Sequence, residues 1–168
     1  IDTDLRRPSL HRFFRIPERR GLADLLAGDA TLDDALRPSH VENLDVLPSG
    51  TRPPNPAELI ESQRLQELIG SLRERYDYVL LDSAPLLPVF DSHYLTVRCD
   101  ANLLVVRSGH TSRNAVKQSL DLIERVGGRV TGVVLNDVNL ADFAQNYYYT
   151  YHSYEYGTYA EEPVERAG

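Results

Sequence analysis

The chain has 168 residues, 42% hydrophobic and 26% charged, with a formal net charge of −7, the make-up expected of one soluble globular domain large enough to bury a core. The acidic balance argues against general nucleic-acid binding, and no apolar run reaches the length that crosses a bilayer. A single cysteine, Cys99, excludes an internal disulfide framework and fits a reducing compartment, where it reads as a small core residue.

Charge is unevenly spread. Residues 6–20 carry Arg6, Arg7, Arg12, Arg15, Arg19 and Arg20 against Glu18 alone, while residues 147–168 carry Glu155, Glu161, Glu162 and Glu165 against Arg166. A chain without methionine that opens at Ile1-Asp2, in what reads as the end of a strand, is expected to be a piece of a longer protein. No signal-peptide pattern is present at its start.

Taken in order, Ile1 to Arg6 reads as a strand end entering a loop, with Asp2, Asp4 and Arg6 on one face of extended backbone. Two acids so close repel each other, and a divalent metal or Arg6 relieves them; the commoner meaning of such a pair is a solvated acidic turn. After a basic, irregular stretch from Pro8 to Gly21, short helices are predicted at Leu22–Ala27, closed by Gly28, and Leu32–Leu36, closed by Pro38. Leu44–Leu47 is a strand candidate, and Thr51–Pro56 a stiff extended linker.

Asn55 and Pro56 then supply a cap and a first-turn proline for one long helix, with Leu59, Leu65, Leu68, Ile69, Leu72 and Tyr76 on one stripe. Tyr78–Asp82 is a continuous apolar run, expected as a parallel strand covered on both faces. Asp91 is placed to cap a helix containing Tyr94, Leu95 and Val97. Ala101–Val106 is another buried strand, Ser112–Val126 a helix with Val116, Leu120 and Ile123 on one side, and Val130–Leu135 the last strand before Asn136. This alternation predicts an α/β fold with a doubly wound, mostly parallel, three-layer sheet.

Ligands of such sheets sit outside the carboxyl ends of the strands, where Asp2, Asp4, Asp82, Arg107 and Asn136 fall. A hydrophobic strand ending in aspartate suits a magnesium ion, which the acid holds through water, although many buried strands end this way. The last segment, Tyr147 to Tyr159, holds seven of the ten tyrosines in thirteen residues. It has neither helical nor strand period and reads as exposed and irregular; the alternative is a run that stacks on a neighbouring surface or pairs as an edge strand.

Ile1-Asp-Thr-Asp-Leu-Arg6 resembles a Walker A′ motif, and Tyr78-Val-Leu-Leu-Asp-Ser-Ala-Pro85 resembles Walker B. Leu47-Pro-Ser-Gly50 and Pro54-Asn-Pro-Ala-Glu-Leu-Ile60 resemble the segment between them in bacterial tyrosine kinases. With the tyrosine cluster, this resemblance to a deviant-Walker, P-loop ATPase superfamily covers essentially the whole chain. It implies ATP and Mg2+ as cofactors. Asp2, near magnesium and the attacking phenol, is implied as base or orienter; Asp4 supports it; Asp82 is the magnesium residue; Arg6 and Asn136 contact nucleotide.

Tyr147, Tyr148, Tyr149, Tyr151, Tyr154, Tyr156 and Tyr159 match the family's phosphoacceptors, usually modified between subunits of a ring. The resemblance further implies a homo-oligomer, a membrane polysaccharide co-polymerase or activator segment, and a tyrosine phosphatase as partners. It also implies a cytoplasmic domain tethered to the inner membrane, serving exopolysaccharide or capsule synthesis. Residues 1–140 are expected as the kinase core and 141–168 as a flexible tail.

One departure stands out. The P-loop pattern GxxxxGK(S/T) is absent, and the only lysine is Lys117, so these residues by themselves are expected to be inactive. Two other readings stay open: a deviant-Walker ATPase of the division or partition type, and a phosphoacceptor or docking module modified by another kinase.

Overall fold

The computed structural model describes residues 1–17 and 19–139. The boundary expected at residue 140 and the tyrosine tail, 141–168, lie outside them. Short helices α1 (Leu10–Phe13), α2 (Leu22–Ala27) and α3 (Leu32–Ala35) precede an antiparallel pair, β1 (Arg37–Pro38) and β2 (Asp45–Val46). Helices α4 (Pro56–Glu61), α5 (Gln63–Arg73) and α6 (Asp91–Thr96) follow. The parallel strands β3 (Leu103–Arg107) and β4 (Gly132–Asn136) then flank α7 (Arg113–Arg125).

Local chemistry explains most boundaries. Gly28 ends α2 in the left-handed region at φ 92°, a conformation that a residue without Cβ adopts at little cost. Ser112 Oγ accepts from the Ala115 amide and starts α7, as its position before an amphipathic run predicts. Register between β3 and β4 runs from Leu103 opposite Gly132 to Arg107 opposite Asn136.

The long helix expected after Asn55 is instead two. Ser62 adopts φ −62°, ψ 150°, and its Oγ accepts the Leu65 amide, so it caps α5 rather than continuing α4. Serine competes for backbone groups in this way, and the break lets Ile60 and Leu65 both enter the core. Asn55 stands at the cap of α4 and Pro56 in its first turn, as expected, but the Asn55 side chain makes no cap bond to the backbone; its amide donates to Glu58 Oε2 at 2.6 Å. Asp91 is the first residue of α6 rather than its cap, which is Phe90.

The core gathers Leu5, Leu22, Leu26, Leu47, Ile60, Leu65, Leu68, Leu72 and Leu95. Gly21 lies against the loop after β2: a Cβ there would stand 2.3 Å from the Gly50 amide nitrogen and the Pro48 carbonyl oxygen. Asp24 locks this approach, its Oδ2 accepting the amides of Gly21 at 2.9 Å and Thr51 at 3.0 Å. Burial opposes ionisation of Asp24, but these amides outweigh it and hold its carboxyl below the ordinary value.

The α/β class is as expected, with parallel pairing at β3–β4 and at a bridge between Asp2 and Asp82. The expectation that Tyr78–Asp82 is a strand buried on both faces is corrected. Its pairing is short, confined to the bonds between residues 1–3 and residues 80–82, and only one face is covered: Val79 and Leu81 pack on the core, whereas Tyr78 and Leu80 are 85% and 73% exposed. Leu103, Val105, Val133 and Leu135 are likewise exposed, and Leu120 of α7 is exposed while Ile123 is buried.

Leu65→Ala removes a fully buried side chain and is expected to lower unfolding stability by about 2–5 kcal/mol. Gly70→Ala, on an exposed face of α5 with nothing near a Cβ, is expected to be neutral or to raise it by up to about 1 kcal/mol. Urea titration of both variants measures this. Asp24→Asn should cost about 1 kcal/mol at neutral pH. A carboxyl held below its ordinary value of 3.8 stabilises the fold above that value and loses the effect as pH falls through its folded value. The gap between Asp24→Asn and wild type should therefore close in acid; a constant gap would show that ionisation of Asp24 is not what matters.

Candidate active site

Three neighbouring segments build the site. The Asp2 amide donates to the Leu47 carbonyl, the Asp82 amide to the Ile1 carbonyl, and the Thr3 amide to the Asp82 carbonyl, each at 2.8–2.9 Å. Thr3 Oγ1 donates to the same Asp82 carbonyl at 2.6 Å. This ladder sets Asp2 and Asp82 side by side at the ends of parallel segments, and the acids expected from sequence to share a rim do so.

The extended backbone expected from Asp2 to Arg6 is corrected, because the chain turns after Thr3. Asp2 is fully buried. Its Oδ1 accepts the Asp4 amide at 3.2 Å, and its Oδ2 accepts those of Ser9 and Leu10 at 3.1 Å. These amides supply the hydrogen bonds that an ion removed from water requires. Asp4, half-buried, accepts the amides of Arg6 and Arg7 through Oδ1. Each acid thus ties down the backbone after it.

Arg6 does not share the acids' face. Its Nε donates to Asp91 Oδ2 at 2.7 Å and its Nη2 to Asp91 Oδ1 at 3.1 Å, a two-pronged pair that fits the guanidinium fork. Sequence reading missed Asp91 as a partner, since nothing in the spacing joins residues 85 apart. Asn136 ends β4, its Oδ1 accepting the Asp137 amide, while Arg107 across the register pairs with Asp137 at 2.8 Å.

Desolvation, followed by the Asp2 and Asp4 carboxylates, pushes the Asp82 carboxyl above its ordinary value. Ionisation of Asp82 is thus opposed by its surroundings, and Asp2 beside it brings a second carboxylate, the ligand type that hard cations take. Among the described residues no three acids, histidines or cysteines converge on one point. These residues supply no phosphate cradle comparable with a P-loop, and Lys117 is exposed on α7.

A family model described as an AAA domain matches residues 10–134, about three quarters of the chain. The putative tyrosine-protein kinase CapB of Staphylococcus aureus is 34% identical over 151 residues, 90% of this chain and 66% of that protein. The kinase domain of Escherichia coli tyrosine kinase ETK superposes with a TM-score of 0.79 at 33% identity, over 82% of this chain and 54% of that one. The septum site-determining protein MinD of Pyrococcus horikoshii, complexed with Mg-ADP, gives 0.66 at 25% identity, over 82% and 56%. The chain spans less than two thirds of these proteins' lengths, and about a fifth of longer tyrosine-kinase relatives. The match over residues 10–134 places the chain in the AAA-domain family, and the relatives to which it is similar are named tyrosine-protein kinases.

Proposed function

We propose that this chain is the acid-bearing part of a magnesium- and ATP-dependent protein-tyrosine kinase. Its phosphoacceptors are Tyr147, Tyr148, Tyr149, Tyr151, Tyr154, Tyr156 and Tyr159, and the protein acts in capsule or exopolysaccharide synthesis. The observation that carries this reading is the juxtaposition of Asp2 and Asp82 across one backbone bridge, with Asp4 in the same loop, in a chain whose relatives are named tyrosine-protein kinases.

In this reading Asp82, with Asp2 beside it, would hold the magnesium, and the ion would supply charge neutralisation to the phosphates. A phenol with a pKa near 10 is protonated at neutral pH. The Asp2–Asp4 loop supplies the carboxylate that orients or accepts its proton, while positioning provides most of the rate. Asn136 contacts the nucleotide base. Arg6 holds α6 against the loop through Asp91, and so acts on the nucleotide by placing Asp4 rather than by touching it.

From Asn136 to Tyr147 is eleven residues and to Tyr159 twenty-three, a maximum reach of about 36–40 Å or 76–83 Å. Transfer within one copy or between copies of a ring is open to that length. We place the protein at the cytoplasmic face of the inner membrane beside a polysaccharide co-polymerase, with a phosphatase to reset the tail. The MinD likeness supports a second reading, an ATPase of the division type, but at lower identity and TM-score than the kinase domain.

Incubating the full-length protein with ATP and magnesium, and mapping modified residues by mass spectrometry, tests the reading. Phosphate is expected on the tail, falling about 10- to 100-fold or more in Asp82→Asn; an unmodified wild-type tail, or an undiminished variant, overturns it.

A second prediction needs no activity. A carboxyl raised above its ordinary 3.8 costs stability at neutral pH, and the cost disappears as pH falls through the raised value towards 3.8. Asp82→Asn should therefore unfold at a higher temperature than wild type in chelator at neutral pH and lose that advantage in acid. Magnesium should raise the wild-type midpoint and leave the variant's unchanged.

A further inference from the structure

One feature without an assigned role is a cavity of about 740 Å³ lined by Arg19, Arg20, Asp34, Arg37, Thr51 and Arg52, together with Gly50. Its size falls within the range that holds small ligands or peptide side chains. Four guanidinium groups face one carboxylate, an excess of three positive charges on a chain whose net charge is −7.

Asp24, whose Oδ2 accepts the Thr51 amide beside Gly50, brings a second carboxylate to the edge of the lining, and the arginines still outnumber the acids four to two. Arg20 approaches Asp34 only to 3.7 Å, with both side chains about half exposed. Asp34 is itself engaged by the Thr31 hydroxyl and amide at 2.8 and 3.1 Å; that engagement, with Arg20 and Arg37 nearby, holds its carboxyl below the ordinary range. Arg37 donates to the carbonyls of Leu36 and Asp34, and Arg52 to that of Arg6. A carbonyl orients a guanidinium without neutralising it, so these arginines keep their positive charge in the lining of the cavity.

Arg52 also fixes where the cavity lies. The carbonyl it grips belongs to Arg6, two residues beyond Asp4 in the acidic loop, so an anion held by Arg52 is delivered to the flank of the proposed transfer site. The chain contains a segment of matching charge. Residues 140–168 carry Asp142, Glu155, Glu161, Glu162 and Glu165 against Arg166 alone, and Tyr159 precedes Glu161 by two positions. Two to three extended residues span about 7–11 Å, enough to seat these carboxylates in the cavity with a phenol at the rim.

We propose that this four-arginine cavity is the docking site for the acidic residues that flank the acceptor tyrosines, recognising the unphosphorylated segment Glu155–Glu165 and setting which tyrosine is presented. Arginine suits the task because its fork meets a carboxylate in two parallel hydrogen bonds. The arginines here are positioning residues: they touch the peptide away from the phosphoryl group. The proposal rests on the kinase reading for its consequence but not for the binding itself.

The test uses the full-length protein and a fluorescein-labelled, unphosphorylated peptide of residues 152–165, followed by anisotropy at moderate salt. Arg19→Glu/Arg20→Glu is expected to weaken binding at least about tenfold, which corresponds to about 1.4 kcal/mol, and the affinity of the wild type should fall as salt rises. A peptide carrying Glu161→Arg and Glu162→Arg should lose affinity for the wild type and regain it on the variant, a rescue that a misfolded variant would not show. With the peptide as substrate, the variant should raise KM and leave kcat unchanged.

Equal affinity of wild type and variant, or full affinity of a peptide with these glutamates changed to Gln, overturns the proposal. A wild type that binds the peptide but transfers no phosphate overturns the kinase reading instead. Mixing a tail-less wild type with a tail-bearing Asp82→Asn chain distinguishes the source of the segment: phosphate on the mixed tail shows docking between copies, and its absence beside a self-modifying wild type shows docking within one.

Discussion

The buried Asp2 carboxylate is the constraint on which the rest of the site depends. Removing an ion from water costs several kcal/mol unless hydrogen bonds replace its hydration, and here the amides of Asp4, Ser9 and Leu10 do so. Because the donors come from the loop that follows, the chain must turn immediately after Thr3. That turn aims Asp4, carries Arg6 to Asp91 and leads into α1. Asp2 is fixed in turn by the backbone ladder that binds it to Leu47 on one side and Asp82 on the other.

Opposite electrostatic solutions lie at the two ends of this loop. On the acid side, Asp82 is raised by desolvation and by its neighbours, a strain that a divalent cation relieves. On the other side, arginines converge on a cavity with too little negative charge to balance them, a strain that an anion relieves. The Arg52 contact with the Arg6 carbonyl joins the two. In the proposed function these two charge patterns, held by one short loop, would bring a phenol and a phosphate together. Asp24 supports the arginine side by locking Thr51 and Gly21, and so the loop that carries Arg52.

What was legible in the sequence followed from short-range chemistry. Gly28, Ser112 and the α7 periodicity marked their elements because caps and periods act over a few residues. The aspartates at strand ends marked the rim because parallel sheets gather those ends together. Less was legible where choices compete over distance. Leu65, Leu68, Ile69, Leu72 and Tyr76 keep one helical period, but Leu59 lies about 120° away from it on the helix, and Ser62 divides the run, since capping α5 lets both halves reach the core. The apolar run Tyr78–Asp82 signalled burial on both faces, but burial depends on what packs against it, and Tyr78 and Leu80 are open to solvent.

The sequence by itself determined the α/β class and the order in which the acid-bearing segments of Asp2, Asp4 and Asp82 follow one another, because residue type and periodicity carry that information. Only the tertiary structure decided that Asp2 is buried and organises the loop, that Arg6 is taken up by Asp91, and that Arg19, Arg20, Arg37 and Arg52 enclose one cavity. These are meetings between residues up to 85 positions apart, and they arise from the packing of α2, α3 and α6 around the core rather than from any local preference of the chain.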